Sequence, residues 1–197
     1  MSVSLRAAVY RWLVRLLVVD FGALDWSAMG VTRPDRRALM EGVGGAIWAV
    51  PVVFVTGIVA SILLSFVPVE PVSPLPPTGS TIGFALSLLT GGIVAPFGEE
   101  VLFRGFATTA WVRGRGVVGG VVLGALVFAF AHVLTISGTS AGDAFGQAFV
   151  GCAGRVPVGL ALGWLFIRRR TVWASFGLHA AFNAILLIVA EATSRST

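Results

Sequence analysis

Glu99 and Glu100 are adjacent carboxylates, followed four residues on by Arg104. They sit in apolar sequence, as do the chain's two histidines, His132 and His179, and Asn183. A carboxylate beside an imidazole can take a proton from water and aim the resulting nucleophile. An imidazole or amide N–H can hold the oxyanion formed when a carbonyl is attacked. Glu99 with His132 suits the first task, and His179 with Asn183 suits the second. Glu99, His132 and His179 could equally bind zinc and leave a position for water. Both chemistries are hydrolytic, and residue types alone leave both open. Glu100 and Arg104 share one helical face, an arrangement in which their charges pair. Neither Ser87 nor Ser175 lies in a Gly-x-Ser-x-Gly setting. His-Glu-x-x-His is absent. A serine nucleophile and an ordinary zincin are therefore not expected.

The elements that must position these groups are membrane helices. Of 197 residues, 56% are hydrophobic and 12% charged, and the mean hydropathy is +0.93. Soluble domains carry roughly 25% charged residues. The net charge of +5 comes from arginine alone, since there is no Lys. These arginines cluster at the ends of apolar runs, which excludes a nucleic-acid partner and points to topology signals. The lone Cys152 rules out an intrachain disulfide and a Cys-pair zinc site.

The expected fold is an all-α polytopic bundle. Leu5, Val9, Trp12, Leu13 and Leu16 recur at helical spacing, broken by Arg6, Arg11 and Arg15. They predict an amphipathic helix on the membrane surface, with no cleaved leader. A polar connector completes residues 1–39. A first span at about 42–67 and a Pro-rich loop at 68–77 fill 40–79. A four-helix core occupies 80–191, with a tail at 192–197. The core's spans are about 81–111, 117–136, 143–167 and 173–190. The first is too long for one simple crossing of about 20 residues, and a kink is expected near Pro96. If Pro96 opens a new segment, both glutamates fall in its first turn, where the helix dipole favours them. Gly120/Gly124 and Gly159/Gly163 should bring the third and fourth spans close together. Arg33/Arg36/Arg37, Arg113/Arg115 and Arg168–Arg170 fall on one side if five spans alternate. The positive-inside rule then puts the N-terminus in the cytoplasm.

Counting from the arginine clusters gives depths at about 1.5 Å per residue. Glu99 lies about 21 Å along its helix from Arg113, and His132 about 25 Å from Arg115. His179 lies about 13 Å and Asn183 about 19 Å from Arg170. Three helices thus bring polar groups to one slab. Each ionisable group there costs at least about 2.5–3.5 kcal/mol on insertion scales. A shared site explains the expense better than independent packing residues do. Arg155 reaches the same slab. It is expected to neutralise one of the acids or to bind a substrate carboxylate.

Glu99-Glu100-Val-Leu-Phe-Arg104 resembles the Glu-Glu-x-x-x-Arg motif of the CAAX-protease and bacteriocin-processing (Abi-type) family. Phe128-Ala-Phe-Ala-His132 is similar to its Phe-x-x-x-His motif, and His179-Ala-Ala-Phe-Asn183 to its His-x-x-x-Asn motif. The three occur in family order over about residues 80–190. The resemblance implies an intramembrane endopeptidase of the type II CAAX prenyl endopeptidase kind. Its substrate would be a lipidated protein tail or a small peptide within the bilayer. It also implies that Glu99 and His132 activate water, that His179 and Asn183 form the oxyanion hole, and that Glu100 and Arg104 support them. Zinc is the cofactor considered for such proteins; the metal ligands would be Glu99, His132 and His179. Arg155 matches no family role. A non-catalytic immunity or scaffold protein is the competing reading. A proton-coupled carrier is disfavoured by the absence of an internal repeat.

Overall fold

The computed structural model describes residues 3–70, 75–134 and 136–194, with the side chains of residues 3–6 outside the description. Leu5 and Arg6 of the N-terminal helix, part of the Pro-rich loop and the end of the tail therefore lie outside the described side chains. The described chain is helical: α1 (Val3–Val14), α2 (Arg36–Ala46), α3 (Ala49–Phe66), α4 (Thr81–Ser87), α5 (Ala95–Glu100), α6 (Thr109–Ala131), α7 (Ala141–Arg169) and α8 (Val172–Ser194). Wider π-helical turns occupy Arg15–Val19, Leu88–Val94 and Val101–Thr108.

Four helical stretches are long and apolar enough to cross a membrane: Arg36–Phe66, Thr81–Ala131, Ala141–Arg169 and Val172–Ser194. The protein is a multi-pass membrane bundle. The second stretch has 51 residues, about 77 Å if straight, far more than a hydrocarbon core of about 30 Å. It reverses at Gly116, whose φ of 73° and ψ of 173° are open to glycine alone. Beyond that point Gly120 lies against Val112 and Gly124 against Thr108. The stretch is thus a helical hairpin holding the second and third expected spans.

That pairing corrects one expectation. Gly120 and Gly124 do not face the fourth span; they close the hairpin. Gly159 and Gly163 do pack as expected, against Ala125 and Val121 of α6. The closest glycine contacts are elsewhere: Gly45 of α2 meets the backbone of Ala174, and Gly177 of α8 meets that of Gly42. With no side chain at either position, α2 and α8 approach backbone to backbone.

The kink expected at Pro96 takes another form. Pro96 cannot donate to the residue one turn back. The chain accommodates it by passing from the π-helical Leu88–Val94 into α5 without a break. Glu99 and Glu100 close the six-residue α5 and are not in its first turn, so the expected dipole support does not apply.

The N-terminal helix also differs from expectation. Its buried stripe is Ala7, Val14 and Val18, while Trp12 and Leu13 are exposed. Ala7 fits against Gly98 of α5, and Tyr10 meets the edge of Phe103 at 6.4 Å. Small residues on both sides let α1 dock on the helix that bears the glutamates. The connector is not purely polar either. Asp25 accepts bonds from Ser27 Oγ and the Ala28 N–H at 2.8 and 2.6 Å, which hold its carboxyl below the usual range. The turn so formed buries Met29 completely, next to Gly105.

The arginine-bearing ends meet at one end of the bundle. Arg169 pairs with Glu41 at 2.7 Å, and the Gly30 carbonyl accepts from the Val172 N–H at 3.1 Å. At the other end, the Thr78 N–H donates to Glu191 Oε2 at 2.9 Å, tying the start of α4 to the end of α8.

Candidate active site

Phe103, Phe128, Leu162, Leu178 and Phe182 form the main apolar core, and the polar cluster is built against it. Glu100 and Arg104 are wholly buried, with an Nη1–Oε1 distance of 3.2 Å. Arg104 Nη2 also donates to the Gly159 carbonyl of α7 at 3.4 Å, and its guanidinium lies over the Phe128 ring at 4.3 Å. The expected Glu100–Arg104 pair is thus present, and each member reaches beyond it. Glu100 Oε1 also bonds His179 Nδ1 at 2.9 Å. A carboxylate at Nδ1 fixes the ring's orientation. The opposite nitrogen, Nε2, faces Glu99 Oε2 at 3.7 Å.

Glu99 is rotated away from Glu100 by about 100°, as consecutive helical residues are. Its Oε2 lies 3.4 Å from His132 Nε2. His132 Nδ1 stands 2.8 Å from the Phe128 carbonyl. Since a carbonyl only accepts, Nδ1 carries the proton and donates. Phe128 thus serves His132 twice, through this carbonyl and through ring contact at 4.4 Å. The Glu99 and His132 side chains are 18% and 27% exposed, against 4% for His179 and 0% for Glu100. The Glu99–His132 side of the cluster is therefore its more open side.

Asn183 stands one turn beyond His179 on α8. Its Nδ2 donates to the Gly91 carbonyl at 2.8 Å, within the π-helical turn Leu88–Val94. The amide has a second N–H beyond that bond. Gly91 and Gly159, whose carbonyls hold Asn183 and Arg104, escape sequence reasoning. A backbone acceptor leaves no residue-type signal. Ser175 is buried and donates to the Val172 carbonyl at 3.2 Å, a helix-internal bond. An apolar cavity of about 380 Å³ lies between α3, α7 and α8, lined by Trp48, Val52, Pro157 and Trp164 among others. It contains none of the polar cluster.

Arg155 shares the slab but pairs with neither acid. Its Nη1 donates to the Gly151 carbonyl at 2.7 Å. No described carboxylate forms an ion pair with it, although Glu99 is within electrostatic range.

The zinc alternative can be tested on the donors. Tetrahedral ligands at about 2.1 Å from zinc stand about 3.4 Å apart, and the two Glu99–His distances come near that spacing. Yet among the described residues no three His, Cys, Asp or Glu side chains are grouped so that they could hold a metal ion. As arranged, the described side chains show no metal site.

Residues 81–185 match the model of the Rce1-like type II CAAX prenyl endopeptidases, just over half of the chain. The chain belongs to this Rce1-like family. No curated protein and no solved structure matches it. The matched segment runs from the start of α4 to two residues past Asn183, so it contains the five clustered side chains, Asn183 and Arg155. The Rce1-like family consists in general of intramembrane CAAX-type proteases acting on peptide or prenylated protein substrates in the bilayer. The N-terminal helix and the first span lie before the matched segment.

Proposed function

We propose that this Rce1-like protein is a glutamate-dependent endopeptidase that cleaves a peptide bond near the end of a lipidated tail or small membrane peptide. The observation that carries the reading is the convergence of His132 Nε2 and His179 Nε2 on one oxygen of Glu99. In the proposed reaction, water sits between Glu99 and His132. Glu99 takes its proton as the water oxygen attacks the scissile carbonyl carbon. The electron pair moves to the carbonyl oxygen, which accepts from the second Asn183 N–H and from Nε2–H of His179, protonated at both ring nitrogens with Nδ1–H on Glu100. Collapse of the intermediate breaks the C–N bond, and the proton held by Glu99 passes to the leaving amine. Glu100 keeps His179 oriented, and Arg104 balances Glu100. By the positive-inside rule, the arginine-bearing end and the N-terminus face the cytoplasm in the cell membrane.

Wild type and Glu99→Gln, reconstituted in lipid vesicles, test this with a farnesylated CAAX-type reporter peptide. The substitution should lower the rate roughly 10²- to 10⁴-fold without loss of folded protein. Equal product from both proteins would refute the assignment of Glu99, and no product from wild type would favour a non-catalytic scaffold. A chelator should leave the wild-type rate intact. Inhibition reversed by added zinc would overturn the metal-free scheme.

A further inference from the structure

We propose that Arg155 selects substrates by holding the free C-terminal carboxylate of the leaving peptide; this rests on the proteolytic reading above. The placement follows from how α6 and α7 pack. Gly163 lies against Val121, Gly159 against Ala125 and Gly151 against Val133, an antiparallel ladder. Arg155 falls midway between Gly159 and Gly151, opposite Ala129. Ala129 is fully buried. His132 is three residues on from Ala129, and the Arg155 charge is within electrostatic range of Glu99. On α7 itself, Arg155 is one turn from Gly159, whose carbonyl holds Arg104.

Two arginines therefore line one face of α7, and they differ in kind. Arg104 is fully buried and paired with Glu100. Arg155 is only partly buried and has no ion-pair partner among the described residues. Its charge persists, because a guanidinium does not deprotonate in proteins. Its bond to Gly151 leaves other donors of the planar fork for a ligand. That fork matches a carboxylate in two-point fashion. Glu99 is near enough to feel the charge and is held away by two histidines. A partly buried cation of this kind favours an anion carried in by the substrate. The C-terminus of a short leaving peptide is the anion found beside every scissile bond of a tail-trimming protease.

The test uses full-length protein in vesicles and two farnesylated CAAX-type peptides, one ending in a free carboxylate and one in a carboxamide. Wild type should prefer the acid by roughly 10- to 100-fold in kcat/KM. Arg155→Gln should bring the acid-to-amide ratio close to one, and Arg155→Lys should restore part of it. Equal use of both peptides by wild type would overturn the proposal. So would an unchanged ratio in Arg155→Gln, the sign of a merely structural or field effect. If Arg155→Gln does not accumulate, the wild-type and Arg155→Lys ratios decide the matter. Absence of any product from wild type overturns the proteolytic reading and this one with it. Product without discrimination overturns this one alone.

Discussion

Removing the charge of Glu100 should damage stability through the arginine it leaves behind. Arg104 Nη1 and Glu100 Oε1 are 3.2 Å apart with no exposed surface on either side chain. At an effective dielectric of about 20 their attraction is about 5 kcal/mol. Glu100→Gln keeps the volume and an oxygen for His179 but leaves a buried cation unbalanced. Breaking such a pair costs roughly 3–5 kcal/mol. Arg104→Met should cost a similar amount for the opposite reason. The double substitution removes both charges and should lie well short of the sum, with a coupling of about 3 kcal/mol or more. Among the described residues, Glu100 Oε2 and Arg104 Nε have no hydrogen-bond partner, so the pair is imperfectly satisfied and the double variant has less to lose. Reversible unfolding in mixed micelles measures all three. The variants' activity should also fall, by roughly 10- to 100-fold for Glu100→Gln, as His179 loses its anionic anchor. Single effects that add within about 0.5 kcal/mol would refute the reasoning, as would a cost below about 1 kcal/mol for Glu100→Gln.

Two glycines give further checks. Gly116→Ala should cost about 1–3 kcal/mol in unfolding free energy through backbone strain alone, because a Cβ there meets nothing within 4 Å. Gly114→Ala, equally unobstructed but without a positive φ, is the control and should be near neutral; equal effects would sink the hairpin argument. Gly177→Ala places a Cβ against the Gly42 backbone, and overpacking of this kind costs about 1–3 kcal/mol. An unchanged melting temperature would mean that α2 and α8 can separate freely.

Much of this was legible because charge is scarce in a membrane protein. Where few residues are charged, each acid or imidazole inside a span stands out. Depth counting from the arginines brought Glu99, His132 and His179 to one slab, and the structure places both imidazoles within 3.7 Å of one Glu99 oxygen. Helical spacing gave the Glu100–Arg104 pair directly. What the sequence concealed were contacts whose signal is the lack of a side chain or lies in the backbone. Gly120 and Gly124 carry a packing pattern, but nothing in the pattern says which neighbour they pack on. A proline marks a disturbed helix without saying whether it breaks or widens to a π turn. The Gly91 and Gly159 carbonyls are invisible for the same reason. For α1, size decided against hydrophobicity: Ala7 fits Gly98, so the stripe that docks is not the bulkiest one.

The doublet Glu99-Glu100 shows how two identical residues acquire separate duties. One helical step turns them about 100° apart, and burial does the rest. Glu100 points into the core, where desolvation is worst, and has Arg104 and His179 for partners. Glu99 points to the partly open side and meets only ring nitrogens. His179 spans the two, with Nδ1 on the buried acid and Nε2 toward the open one. Exchanging the two orientations would leave Arg104 unpaired and give the open side an acid already committed to a salt bridge. The order matters as much as the composition: the second glutamate faces Arg104 because it is four residues from it, which leaves the first for the two imidazoles on the open side.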